Sequence, residues 1–256
     1  MKKIINYVLR KFGYSLVRTN RDQQLISNIP DDMLEPEFHD LYNFCKPYTM
    51  TSIERMYALY KSIVYILDKN INGDFVECGV WRGGSAMLIA KMFVERKITN
   101  RKIILFDTFE GMSEPSQFDI DTSGQLATEA LKQSIHKKET SVWCLADITD
   151  VQNNMNQTGF SNDLIVYIKG KVEDTIPERL PTKQIALLRL DTDWYESTKH
   201  ELIYLYPLLQ RTGILIIDDY GHWQGCRKAV DEYLAESNVT LMLNRIDYTG
   251  RIGMKI

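Results

Sequence analysis

Five apolar runs divide the chain after residue 70: "DFVEC", "KIILFD", "DLIVYIKG", "IALLRLD" and "GILIIDD". Helix-length segments such as "SAMLIAKMFVERK" and "STKHELIYLYPLLQR" lie between them. Strands alternating with helices require a parallel sheet covered on both faces, because each crossover lays a helix on the sheet. Ahead of the first run, Ile53, Met56, Tyr57, Tyr60, Ile63, Val64 and Leu67 recur at intervals of one, three and four. This is an amphipathic helix, capped by Thr51 or Ser52. The chain closes with "VTLMLNRID", a Tyr-Thr-Gly turn and "RIGMKI", an antiparallel hairpin expected at the sheet edge. The fold class is α/β: a mostly parallel sheet with a C-terminal antiparallel hairpin and helices on both faces.

The first 50 residues stand apart. In "MKKIINYVLRKFGYSLVR", Ile4, Ile5, Val8, Leu9 and Phe12 share one helical face among basic residues. Such a helix, residues 1–18, can make a peripheral contact with an anionic membrane, or pack on its own domain or on a second copy in a homo-oligomer. Residues 19–50 carry three prolines and read as irregular, a lid or subunit contact, with one α/β domain over 51–256. A net charge of −3 offers no broad attraction to nucleic acid. The four cysteines are widely spaced and form no zinc or disulfide framework, which fits reduced thiols in the cytoplasm. No apolar run approaches the ~20 residues of a membrane span.

In open parallel sheets, ligands bind beyond the carboxyl ends of the strands, so the chemistry belongs where each run stops. The first stop, "FVECGVWRGGS", places Glu77 before Gly79, Gly83, Gly84 and Ser85. Its spacing differs from the G-x-G-x-x-G turn that cradles a pyrophosphate. The second ends at Asp107, an acid placed to accept the two hydroxyls of an adenosine ribose. Together they favour a nucleoside cofactor without phosphates, pointing to S-adenosylmethionine. The last two stops carry Asp191 with Asp193, and the adjacent pair Asp218–Asp219. Adjacent anions are tolerable in a solvated loop that caps the next helix, or around a hard, oxygen-seeking ion such as Mg²⁺.

Taken together, "ECGVWRGGS", "DTFEGM", "LRLDTDWYEST", "ILIIDDYG" and "GCRKAVDEYL" resemble the macrocin O-methyltransferase (TylF/MycF) family, from about residue 48 to the C-terminus. The resemblance implies a Rossmann-like class I methyltransferase fold with seven strands, the final one antiparallel. It implies S-adenosylmethionine and Mg²⁺ as cofactors and a sugar-containing acceptor. Carried over by position, Asp191, Asp218 and Asp219 are the metal ligands. The cofactor loop runs from Glu77 to Ser85, including Gly79, Trp81, Gly83 and Gly84, and is joined by Asp107, Thr108 and Gly111. Thr51 and Ser52 flank the methionine end, and Lys171 and Val172 lie near adenine. Thr192 and Trp194 stand where the family usually has Gly and Leu. For methyl transfer to a sugar diol, Asp191 is the candidate catalytic base and His222 the reserve. The competing readings are a catechol-type O-methyltransferase and a non-catalytic cofactor-binding scaffold.

Overall fold

A computed structural model describes residues 30–33, 35–134 and 143–256. The chain divides into a unit of residues 1–39 and a larger unit of residues 40–256. The amphipathic stretch of residues 1–18 lies outside the described residues. In the smaller unit, the described residues form a 3-10 turn, Asp31–Met33, and begin helix α1, Pro36–Cys45. Residues 36–48 are therefore more regular than their prolines suggest. Pro36 opens α1 and Pro47 sits in the first turn of the 3-10 helix Lys46–Tyr48, where a missing N–H leaves no bond unmade.

Helix α2 spans Ile53–Asp68, and Ser52 is its cap: the Ser52 hydroxyl accepts the Arg55 N–H at 3.2 Å. Strand β1 (Asp74–Cys78) leads through the glycine turn to α3 (Gly84–Glu95), then to β2 (Ile103–Asp107), α4 (Ala127–Gln133), α5 (Ile148–Asn156) and β3 (Ile165–Lys169). One turn of helix, α6 (Val172–Thr175), precedes β4 (Ile185–Leu190) and α7 (Tyr195–Leu205). Strand β5 (Leu209–Ile217), α8 (Gln224–Glu236), β6 (Asn244–Arg245) and β7 (Arg251–Met254) complete the chain. Two elements are shorter than their sequence patterns. The helix expected over "GQLATEALKQSIHKK" is seen as α4, and residues 135–142 lie outside the described ones. In "VTLMLNRID" only Asn244–Arg245 pairs with β7, because Leu241 and Leu243 pack against the core instead of extending the ladder.

The sheet has seven strands in the order β3-β2-β1-β4-β5-β7-β6. Strands β1 to β5 are parallel, β7 runs antiparallel to β5, and β6 antiparallel to β7. All six residues of β4 are buried, as a central strand covered on both faces demands. The chain builds outward from β1 toward β3 on one side and from β4 toward β6 on the other. Strand order reverses between β1 and β4, the crevice where such sheets bind ligands. Trp194, 1% exposed, packs edge-on to Trp223 at 5.0 Å between ring centroids and closes the core behind this crevice.

Candidate active site

The crevice is set by a close approach of two backbones. The Asp191 N–H donates to the Cys78 carbonyl at 2.8 Å, and a Cβ at Gly79 would lie 1.9 Å from the Asp191 carbonyl oxygen. Gly79 also has φ +81°, so both space and conformation require glycine. Asp107, at the end of β2, holds the turn that follows. Its carboxylate accepts the backbone N–H groups of Val80 at 2.6 Å, Trp81 at 3.2 Å and Phe109 at 2.6 Å. Burial pushes the Asp107 carboxyl above its ordinary value, and those three bonds pull back toward the anion. A carboxylate has about four acceptor positions. Three are occupied by the backbone, and the Thr108 hydroxyl donates a fourth, longer bond at 3.4 Å. Asp107 thus clamps the turn while lining the cavity, where contact with the ribose hydroxyls is the sequence's expectation.

A cavity of about 190 Å³ opens over this turn. Of the expected cofactor contacts, Thr51, Gly79, Trp81, Gly84, Ser85, Asp107 and Gly111 line it. Thr108, Lys171 and Val172 line a smaller adjoining cavity of about 60 Å³. Three expected cofactor contacts lie off both walls. Ser52 is the helix cap and donates to Asp247 at 2.7 Å. Gly83 shapes the turn with φ +88°. Glu77 is sealed in the sheet, 1% exposed, where it accepts from the Ser85 hydroxyl and Arg189. It points inward because alternate residues of a strand face opposite sides.

The opposite wall is acidic. Asp191 follows β4, and Asp218 and Asp219 follow β5; each offers an oxygen within 4.8 Å of the others. The chain turns after Ile217, so the adjacent pair converges where an extended strand would have splayed it. Arg189, 2% exposed within β4, bonds Glu77, Asp191 at 2.8 Å and Asp218 at 2.7 Å. Arg55 bridges Asp218 to Asp247, the latter at 3.0 Å. Asp193 adds a sixth carboxylate, held with φ +66° and accepting the Trp223 indole N–H at 2.8 Å. Two guanidiniums thus stand among six carboxylates and pair with four of them. Burial is the first cause that raises the carboxyls of Asp191, Asp193 and Asp219, with their mutual repulsion adding to it. Asp193 is pushed up to about 7.

These residues fit a hard divalent cation. The donors are all carboxylate oxygens, the cluster carries excess negative charge, and Asp219 Oδ2 is buried without a hydrogen-bond partner. A buried polar atom left unpaired calls for a specific explanation, and an ion is one. His222 is a different case. Its ring sits outside the cavity in a neighbouring groove, where Nδ1 pairs with the Tyr248 hydroxyl at 3.1 Å. His222, the reserve base of the sequence reading, thus lines this groove and not the cavity that holds Asp191, Asp218 and Asp219. Sequence reasoning passed over Arg55 and Arg189. The available signal was an arginine inside the apolar run "IALLRLD", which has to bring its own anions.

Sheet topology, the glycine turn at the switch point and the facing carboxylates define a class I methyltransferase. The chain belongs to the macrocin O-methyltransferase family: the profile described as Macrocin-O-methyltransferase (TylF) matches residues 6–253. It is an enzyme, an S-adenosylmethionine-dependent O-methyltransferase. Over 203 residues it is 32% identical to the 8-demethyl-8-(2,3-dimethoxy-alpha-L-rhamnosyl)-tetracenomycin-C 4'-O-methyltransferase of Streptomyces olivaceus, covering 79% of this chain and 74% of that one. It is 30% identical over the same length to the demethyldecarbamoylnovobiocin O-methyltransferase of Streptomyces niveus, with the same coverage. Among solved structures, the O-methyltransferase NovP superposes with a TM-score of 0.70 at 28% identity, covering 81% of this chain and 82% of that chain.

Proposed function

We propose that this enzyme methylates a hydroxyl of a sugar bearing neighbouring hydroxyls, with S-adenosylmethionine over the glycine turn and Mg²⁺ between Asp191, Asp218 and Asp219. One observation carries the reading: the three converging carboxylates face the glycine turn across a single cavity. The relative from Streptomyces olivaceus is named for a rhamnosyl substrate, which favours a sugar over an aromatic diol. The acid set is intact, and a non-catalytic scaffold has no use for it.

S-adenosylmethionine, when bound, supplies a sulfonium methyl group for in-line displacement. A divalent ion held by Asp191, Asp218 and Asp219 would make the acceptor hydroxyls more acidic and orient the diol. The chain's own residues do the rest. The turn clamped by Asp107 shapes the donor end, and Thr108, Lys171 and Val172 border the adenine side. Arg189 fixes the directions of Asp191 and Asp218 from below. With Asp191 engaged by Arg189, the proton acceptor is Asp193, whose carboxylate lines the cavity and is oriented by Trp223. A base must lie within hydrogen-bond reach of the proton it takes, and Asp193 lines the same cavity as Asp191, Asp218 and Asp219, which supports this role.

Buried free cysteines (Cys45, Cys78 and Cys226) favour a reducing, cytoplasmic setting. Among the described residues no helix is long and apolar enough to cross a membrane. The basic stretch of residues 1–18 is read as a docking element for an anionic membrane or a second copy. Its deletion separates the two through vesicle sedimentation and oligomer mass. The direct test of function is transfer of labelled methyl from S-adenosylmethionine to a panel of vicinal-diol glycosides. Label on a sugar hydroxyl, lost with EDTA and restored by Mg²⁺, is the expected result. Methylation of catechols alone would overturn the sugar assignment.

A further inference from the structure

The C-terminal hairpin brings arginines to the active-site edge of the sheet. Arg251 opens β7 opposite Ile217, the last residue of β5 before the acidic pair, and Arg245 lies across from Arg251 on β6. Arg227 stands in the first turn of α8 on the same edge. Tyr220, next after Asp219, holds two of them: the guanidinium carbons of Arg227 and Arg251 lie 5.5 and 5.0 Å from its ring centroid.

Among the described residues, none of the three has a carboxylate partner. Arg227 donates to the Tyr220 carbonyl at 3.2 Å, Arg245 to the Asp247 carbonyl at 2.7 Å and Arg251 to the Gly250 carbonyl at 2.8 Å. The nearby acids are occupied elsewhere. Asp247 turns its carboxylate toward Arg55 and Ser52, Asp231 accepts the Tyr220 hydroxyl at 2.8 Å, and Glu232 takes Lys228 and Lys199. Three guanidiniums crowded at one edge repel one another, an arrangement an anionic ligand relieves. Burial, then the charge of Arg245, already lowers Arg251. A groove of about 440 Å³ runs beside Arg227, with His222, Lys228 and Asp231 also on its wall, while Arg245 and Arg251 lie off it on the hairpin.

We propose that Arg227, Arg245 and Arg251 bind a phosphate or diphosphate carried by the acceptor, so that the substrate is a sugar still attached to a phosphorylated carrier. The proposal rests on the methyl-transfer reading of the adjoining cavity. Guanidiniums suit this ligand because their forked donors match phosphate oxygens in pairs. Arg251 also ties the hairpin turn together, so the two exposed members are the ones to change.

The test is calorimetric titration of the full chain, stripped of metal and kept in EDTA, with inorganic diphosphate. Uridine diphosphate serves as the nucleoside arm and farnesyl diphosphate as the lipid arm. Saturable binding is expected, weakened at least about tenfold, or ~1.4 kcal/mol, in an Arg227→Ala/Arg245→Ala variant. Arg227→Lys/Arg245→Lys should retain part of it. Tighter binding in one arm identifies that carrier, while equal binding in all arms means that the diphosphate alone is read; each supports the site. No saturable binding by the wild type, or equal affinity in the alanine variant, overturns it. S-adenosylhomocysteine binding is measured on the same samples, and methylation of uncharged glycosides on portions of them returned to Mg²⁺. If those persist while diphosphate fails, only this proposal falls. If diphosphate binds but no sugar of any kind is methylated, the functional reading fails and takes the acceptor role of the patch with it.

Discussion

Asp107 closes β2 and Asp219 follows β5; both carboxylates face the same cavity, and burial raises both. Asp107 is satisfied by three backbone N–H groups from the turn it holds. Asp219 keeps a buried oxygen with no partner and sits among Asp191, Asp193 and Asp218. The Asp107 carboxylate is satisfied as folded, while under the proposed function the Asp219 carboxylate is satisfied by a cation. The same side-chain type would then serve structure on one wall and ion binding on the other, as the neighbouring backbone decides.

The contrast breaks most visibly at Asp219. Asp219→Asn keeps the shape and removes a charge, and methyl transfer should fall by about 10²–10³-fold, the usual loss for a preorganised electrostatic contact. S-adenosylhomocysteine affinity, read by calorimetry, should change little. A parallel loss of cofactor binding would mean that the two walls are not separable.

Arg189 sharpens the comparison from beneath. Arg189→Met leaves Glu77, Asp191 and Asp218 buried without their shared cation, an arrangement that costs about 3–5 kcal/mol. Urea unfolding should show that loss, and added Mg²⁺ should recover part of it by binding the folded form. A midpoint equal to the wild type would show that the carboxylates need no counter-charge.

On the donor wall the effect is smaller. Asp107→Ala frees three backbone N–H groups, and cofactor affinity should drop roughly tenfold to a hundredfold, from bonds to a charged group of about 1.5–3 kcal/mol. Mg²⁺ affinity should stay within about twofold. The smallest effect belongs to His222. His222→Ala should leave the turnover rate within about twofold, since the ring lies outside the cavity; an imidazole acting as the base would cost about 10²–10⁴-fold instead.

The sheet was legible because strand ends in an open α/β fold are where ligands bind, and the apolar runs mark those ends plainly. That rule marked the strand ends carrying Asp191, Asp193, Asp218 and Asp219, and the family resemblance picked out Asp191, Asp218 and Asp219 among them. Less legible was anything that depends on how a side chain turns after the strand. Glu77 and Asp107 read alike, as acids at neighbouring strand ends, yet one is sealed inward and the other clamps the turn. His222 read as near the site because it follows Asp219 by three positions, and the turn at Gly221 takes it out. Arg55 comes from a helix more than a hundred residues away from Asp218 in the chain, and no local pattern links the two. Helix α1 was hidden by Pro36 at its first position and by Pro47 in the 3-10 helix after it, both at helix starts where they do no harm.

The central claim is that the acidic wall is a cation site and the glycine wall is not. Titration of Mg²⁺ into metal-stripped protein, monitored by calorimetry, tests it without reference to turnover. One saturable site is expected in the wild type, still present in Asp107→Ala and absent in Asp219→Asn. Binding of equal strength in Asp219→Asn, or no binding in the wild type, would contradict it and leave Arg55 and Arg189 as the only counter-charges the acidic wall requires.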